Sequence, residues 1–241
     1  MRWSCLPLAL ACAALLSVPP SAEARPHHRV LGRAVLVELF TAQGCEGCPQ
    51  ADLALGALAR KKGVIAVTFS VDIWDYTGWT DTLAEPEFTA RQKAYVKRLK
   101  LREIYTPEVV VDGVGEAAGL DSETLAALVQ KADKTEQTGP SIHFSADGNR
   151  VSLGAARAPA KADEVWLIRY DPTPQEVKVK AGDNKGKTVV VSNAVRELVK
   201  LGDWRGKAKR FDLPDPTADG LKSVVVVQAP RGGPVAAVSR Y

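Results

Sequence analysis

Apolar and polar positions change their rhythm once along this chain, and the change falls near residue 138. Before it, continuous apolar runs alternate with helix-period segments. Ala34 to Phe40 and Val64 to Val71 are apolar enough to be strands buried on both faces. Between them, Pro49 to Lys61 places Ala51, Leu55, Leu58 and Ala59 on one helical face. A more polar helix is predicted from Pro86 to Lys100, followed by a strand at Val109-Val110-Val111 that runs into the turn residues Asp112-Gly113. Gly115 to Ala118 closes that hairpin. Ser122 to Ala132 then reads as an amphipathic helix capped by Ser122. Alternation of this kind predicts an α/β layer structure with parallel strands.

After Thr138 the elements become short and β-like. Ser141 to Ala146, Arg150 to Ala156, Glu164 to Tyr170, Glu176 to Lys180, Lys187 to Val191 and Val224 to Ala229 are separated by Gly, Pro, Asn and Asp turns. The spacing predicts a small antiparallel sandwich packed against the first domain. Asn193 to Leu201 fits a helix or a bent strand, and periodicity does not choose between them.

The first residues have a different pattern. Arg2 supplies a positive start, Cys5 to Val18 a short apolar stretch, and Ala22-Glu23-Ala24 a small-x-small site, the tripartite form of a secretory signal peptide. The stretch is shorter than the ~20 residues that span a bilayer. Lipidation at Cys12 is a further alternative, although Ala9-Leu10-Ala11-Cys12 lacks the usual leucine three positions ahead of the cysteine. The expected organisation is a signal peptide over 1–24, a lead over 25–33, an α/β domain over 34–137 and a β-rich domain over 138–241. The mature chain is expected outside the cytoplasm, with no stable membrane span after cleavage.

Composition narrows the chemistry further. Of four cysteines, Cys5 and Cys12 fall in the expected signal, leaving Cys45 and Cys48. A framework of several disulfides is therefore excluded. The net charge of +4 is mixed along the chain, and the basic runs Arg60-Lys61-Lys62 and Lys207 to Arg210 have no interleaved aromatics. They read as solvated faces, so no nucleic-acid partner is expected.

Cys45-Glu46-Gly47-Cys48, followed by Pro49, sits between the first predicted strand and the first predicted helix. Two cysteines one helical turn apart bring their sulfurs within reach of a disulfide. Unpaired N–H groups and the helix dipole at such a terminus stabilise a thiolate, which makes Cys45 the attacking and Cys48 the resolving sulfur. That is the chemistry of a thiol–disulfide oxidoreductase, which needs no organic cofactor or metal. Its partners would be protein thiols or disulfides and an unidentified redox partner. Further on, Asp72 to Trp79 follows a strand whose end lies where open α/β sheets build their sites. Trp74, Tyr76 and Trp79 would form an aromatic wall there, with Asp72 and Asp75 as polar contacts; core or interface packing is the other use of such aromatics.

The order strand, Cys45-x-x-Cys48, helix, strand, Thr106-Pro107, strand resembles the thioredoxin superfamily. More narrowly, three segments resemble a bacterial secreted thioredoxin-like family, domain-of-unknown-function family 1223. They are Val37-Glu38-Leu39-Phe40-Thr41 with Gly44-Cys45, Val71-Asp72-x-Trp74-Asp75-Tyr76-x-Gly78-Trp79, and Tyr105-Thr106-Pro107 with Val110-Val111-Asp112-Gly113. The likeness continues through Asn193, Leu201-Gly202-Asp203-Trp204 and Gly232-Gly233-Pro234. It implies an α/β thioredoxin-like domain, a cis bond before Pro107, and Thr106 lining the thiol groove. It also implies that Glu38 lies close to where thioredoxins keep a buried carboxylate, and so could take the Cys48 proton as a general base. The alternative is equally open: one extra residue before Cys45 compared with thioredoxin could turn Glu38 to the other face, as a solvated or salt-bridged glutamate. Glu46 between the thiols disfavours a nearby thiolate, which predicts a moderate or reducing potential.

Two other functions fit the same residues. Paired thiolates suit a soft metal ion such as Cu(I) or Zn(II), with His143, His27 and His28 as the few further ligands. Alternatively the pair is a permanent disulfide in an exported binding module.

Overall fold

The structure, a computed structural model, describes residue 1, residues 34–136 and residues 138–241. The expected signal and lead, with Cys5, Cys12, His27 and His28, lie outside the described residues. Residues 34–136 and 138–241 belong to one compact unit.

Its centre is strand β1, Val35–Thr41, buried along its whole length. The apolar run supplies one set of side chains to each face, as a strand covered on both sides requires. Helix α1, Cys48–Leu58, leads to β2, Val64–Ser70, which returns parallel to β1. After a 3-10 turn at Asp75–Thr77 come α2, Pro86–Leu99, β3, Glu108–Val111, and β4, Gly115–Ala118. Strand β3 pairs antiparallel with the other edge of β1. Helix α3, Ser122–Asp133, begins one residue later than its cap: Asp121, not Ser122, accepts the Thr124 N–H at 2.9 Å. A carboxylate at that position satisfies an otherwise free helix donor.

The C-terminal half adds β5, Ile142–Phe144, β6, Arg150–Leu153, β7, Asp163–Asp171, β8, Gln175–Lys178, and β9, Thr188–Val191. Then follow β10, Ala194–Trp204, β11, Lys209–Asp212, β12, Lys222–Gln228, and β13, Val235–Arg240. Here the arrangement differs from a sandwich standing beside an α/β layer. Eight strands form one sheet in the order β13-β12-β7-β10-β2-β1-β3-β4, with a three-stranded sheet β11-β6-β5 and the β8-β9 hairpin apart from it. Strands from both sides of residue 138 thus share one sheet. Alternation shows which faces of a strand are buried but says nothing of which strand lies beside it.

The seam is made at β2. Ala194 stands opposite Thr68, the Thr68 N–H donates to the Asn193 carbonyl at 3.0 Å, and Asn193 Nδ2 donates to the Ala66 carbonyl at 2.8 Å. Asn193 has a positive φ of 49°, a conformation asparagine tolerates better than most residues.

Two apolar layers flank the sheet at the first cysteine. Val35, Val37 and Leu39 pack with Ala51, Leu55 and Leu58 of α1 and Leu125 of α3. Leu36 and Phe40 face the other way, toward Phe88 and Tyr95 of α2. Among the described residues no helix is long and apolar enough to cross a membrane.

Candidate functional site

Beyond the end of β1 the chain turns sharply, and Cys45 and Cys48 are disulfide-bonded with their Cα atoms 5.4 Å apart. Cys48 is the first residue of α1, with Gly47 at the N-cap and Pro49 in the first turn. Proline suits that position because its missing N–H would have no helical partner there. Cys45 lies in the preceding turn, its N–H donating to the Ala42 carbonyl at 3.1 Å. Both cysteines are buried, at 3% and 1% exposure, in a small cluster with Ala42 and Trp74. Glu46 between them is exposed.

Three segments converge on this turn. Pro107, after a cis peptide bond as the resemblance implies, lies against Gly47: a Cβ built on Gly47 would stand 3.6 Å from Pro107 Cδ and 3.4 Å from Leu120 Cδ1. Thr106 is tied to the aromatic segment, its hydroxyl accepting the Trp74 Nε1–H at 2.7 Å. Trp74 stacks on Tyr76, which is 81% exposed, and Trp79 donates through Nε1 to Gln43 Oε1 at 2.9 Å.

The predicted polar contacts of this segment are turned to its own support. Asp72 Oδ1 accepts the Thr89 hydroxyl at 2.7 Å, and Asp75 Oδ1 accepts the Asp81 N–H at 3.0 Å. Asp81 in turn accepts the Gln43 N–H at 2.7 Å. Of the predicted substrate contacts, therefore, Trp74, Thr106 and Pro107 gather at the disulfide. Asp72, Asp75 and Trp79 brace the loop around it.

The third segment was not foreseen. Residues 179–187, the loop between β8 and β9, lie over residues 43–45. Asn184 is fully buried, and its Nδ2 donates to the Cys45 carbonyl at 2.6 Å and the Gln43 carbonyl at 3.0 Å. The Asp183 N–H donates to the Gly44 carbonyl at 3.3 Å. Nothing in the local sequence shows that an asparagine this far along the chain reaches the cysteine turn.

Carboxylates are distributed differently from expectation. Glu38 is buried on the α2 face of the sheet, opposite α1, and Arg91 Nε donates to its Oε1 at 2.6 Å. The Tyr95 hydroxyl donates to the other oxygen. This is the flipped, salt-bridged arrangement, and it commits Glu38 to Arg91 rather than to Cys48. The burial of Arg91 works against its charge, but Glu38 outweighs it and raises the guanidinium pKa.

The carboxylate on the cysteine side is Asp52, one helical turn after Cys48 and on the same buried face of α1. Its Oδ2 accepts the Thr41 hydroxyl at 2.9 Å, and its Oδ1 has no protein partner. Burial pushes its pKa up to about 8, against the lowering effect of Thr41. Nearby Asp81 is raised to about 6, again by burial first. Among the described residues no three His, Cys, Asp or Glu side chains gather to hold a metal ion, and His143 lies on β5.

Fold and site together define a mixed α/β protein with a disulfide-bonded Cys-x-x-Cys pair at the head of a helix. The chain belongs to the family described as protein of unknown function (DUF1223), which matches residues 36–228. A crystal structure of a protein from Agrobacterium tumefaciens, 28% identical, covers 87% of this chain and 94% of its own with a TM-score of 0.72. HBP35 of Porphyromonas gingivalis, 12% identical, covers 88% of this chain and 75% of its own with a TM-score of 0.56, a likeness of fold alone. No curated protein matches the chain.

Proposed function

We propose that this protein is a thioredoxin-like thiol–disulfide oxidoreductase working outside the cytoplasm, with Cys45 as nucleophile and Cys48 as resolving thiol. The observation that carries the reading is the disulfide at the head of α1 lying beside Thr106-Pro107. The strand order β2-β1-β3-β4, with α1 and α3 on one face and α2 on the other, supports the thioredoxin-like description. Exposed Tyr76 and Leu120 at the rim favour a polypeptide partner, since both offer apolar surface beside the sulfurs.

In the reducing direction the Cys45 thiolate attacks one sulfur of a substrate disulfide, forming a mixed disulfide and releasing one substrate thiolate. Cys48 gives its proton to Asp52 and attacks Cys45 Sγ, which releases the second substrate thiolate. The substrate gains two electrons and the cysteine pair closes, as it stands in this structure. A partner dithiol protein reopens it by the same exchange. Asp52 takes the part the sequence assigned to Glu38: with a pKa raised to about 8 it is mostly protonated at neutral pH, and its ionised fraction is a base strong enough to accept the Cys48 proton.

The deciding experiment equilibrates the mature protein with defined thiol–disulfide buffers and counts free thiols by alkylation and mass. A potential between about −180 and −270 mV with fast equilibration supports exchange. The near-complete burial of both sulfurs favours one competitor, a permanent disulfide in a binding module. A pair that stays oxidised well below about −300 mV would establish that competitor instead.

A further inference from the structure

The loop 179–187 is joined to the cysteine turn by more than contact. Asn184 spends both N–H groups of its amide on the carbonyls of residues 43 and 45, the residues on either side of Gly44. Its remaining oxygen accepts from Lys187 Nζ at 3.2 Å. Gly182, at φ +74°, rests directly on Gly44: a Cβ there would stand 3.3 Å from Gly44 Cα and 3.0 Å from Thr77 Oγ1. The strap thus meets the turn and the aromatic segment at one point. It is itself held in a hairpin by the Val179 and Gly186 N–H groups, which donate to the Lys187 and Val179 carbonyls.

Chemistry gives the asparagine a particular task. A buried carbonyl left without a donor costs free energy, and Asn184 serves those of Gln43 and Cys45, sharing the Cys45 carbonyl with the Cys48 N–H at 3.3 Å. One amide satisfying both fixes their separation and hence the path of the backbone into Cys45. The same strap lies against Gly44 and Thr77, so it covers the turn beside the aromatic segment.

We infer that Asn184 is a positioning residue for the cysteine pair, and that the strap it anchors over the turn slows the approach of reductants to the disulfide. This deepens the thiol-exchange reading by naming a determinant of how readily the pair is reached.

The test measures how fast the oxidised protein is reduced by dithiothreitol and, separately, by a reduced thioredoxin, with free thiols counted by alkylation. Asn184→Ala is expected to speed reduction by roughly tenfold, the effect of losing about one buried hydrogen-bond clamp. The gain should be larger with the protein reductant. Asn184→Asp has the same shape but offers acceptors to two carbonyls, so it should behave as Asn184→Ala; restoration of the wild-type rate by Asp would show that Asn184 only fills space and overturn the inference. Lys187→Met, an exposed change that removes the contact to Asn184 Oδ1, should shift the rate in the same direction and by less. If an Asn184 variant fails to fold by circular dichroism, Lys187→Met decides alone. Wild-type rates in all variants that fold overturn the inference. Accelerated reduction in a protein whose potential lies outside the exchange range would sink the redox reading and leave the strap standing.

Discussion

Asp52 is the side chain at which stability and the proposed chemistry meet. Burial lifts its pKa from 3.8 to about 8, so between those values the folded protein holds a proton that the unfolded chain has released. A state that binds more protons loses stability as pH rises. Its contribution is therefore neutral below about pH 4 and increasingly unfavourable toward pH 8. Asp52→Asn keeps the shape and removes the titration. It should be more stable than the wild type by a few kcal/mol at pH 7, with the difference vanishing near pH 4, in urea melts across pH. The same variant should resolve mixed disulfides about a hundredfold more slowly, the scale of a lost general base, with a flattened pH profile in stopped-flow exchange. Gain in stability without loss of rate would remove Asp52 from the reaction. The cysteines were legible in sequence because their spacing carries chemistry, Trp74 because its aromatic segment follows a strand end, and Thr106-Pro107 through the family resemblance alone. Asp52 and Asn184 were not, since an aspartate in a helix and an asparagine in a Gly-Asp-Asn-Lys loop look like surface residues until the fold buries them.

At the scale of elements, α2 is attached to the sheet through charge as well as apolar contact. Arg91 reaches Glu38 on β1 and Gln228 on β12 at once, donating to Gln228 Oε1 at 3.1 Å, while Gln228 Nε2 donates to the Tyr95 hydroxyl at 3.0 Å. Its guanidinium also lies over the rings of Phe69, Tyr95 and Trp166. Removing one member of a buried pair leaves the other uncompensated, so Arg91→Ala should cost about 3 to 5 kcal/mol in chemical denaturation. The double variant Glu38→Leu/Arg91→Met should recover most of that loss, because a well-packed apolar pair needs no charge compensation. If it is no more stable than the single variant, the pair is not the source of the cost. Elements with a clean period, β1, α1, β2, α2, β3 and β4, were readable within a few residues. Strand β10 was ambiguous because register shifts at Val195/Glu197 and Lys200/Gly202 break its alternation. Strand β11, Lys-Arg-Phe-Asp, was missed because it carries one apolar residue.

For the whole molecule, the question is whether the half that carries the cysteines stands without the half that carries the strap. The sequence changes character at residue 138, which reads as a boundary, yet its physics does not stop there. Strand β2 has β1 on one side and β10 on the other. Seven of the sixteen buried residues in the core on the α2 face, Ile168, Tyr170, Val195, Val224, Val226, Val235 and Val238, come from beyond the change. A chain ending at residue 138 would expose the β2 edge and the apolar side chains of Phe69 and Val67, and it would strip Arg91 of Gln228. An open apolar edge of this kind pairs with other chains. The shortened protein should therefore lack a cooperative thermal transition by calorimetry, bind a hydrophobic dye, and aggregate more readily than the full chain under the same conditions. Its disulfide, without Asn184 over the turn, should be reduced at the rate of an unconstrained peptide disulfide. A cooperative melt with a protected disulfide in the shortened chain would show that the first half folds alone and that the strap is dispensable. Because the strap, the β2 seam and the Arg91 contact all cross the same point in the sequence, the three losses are expected together.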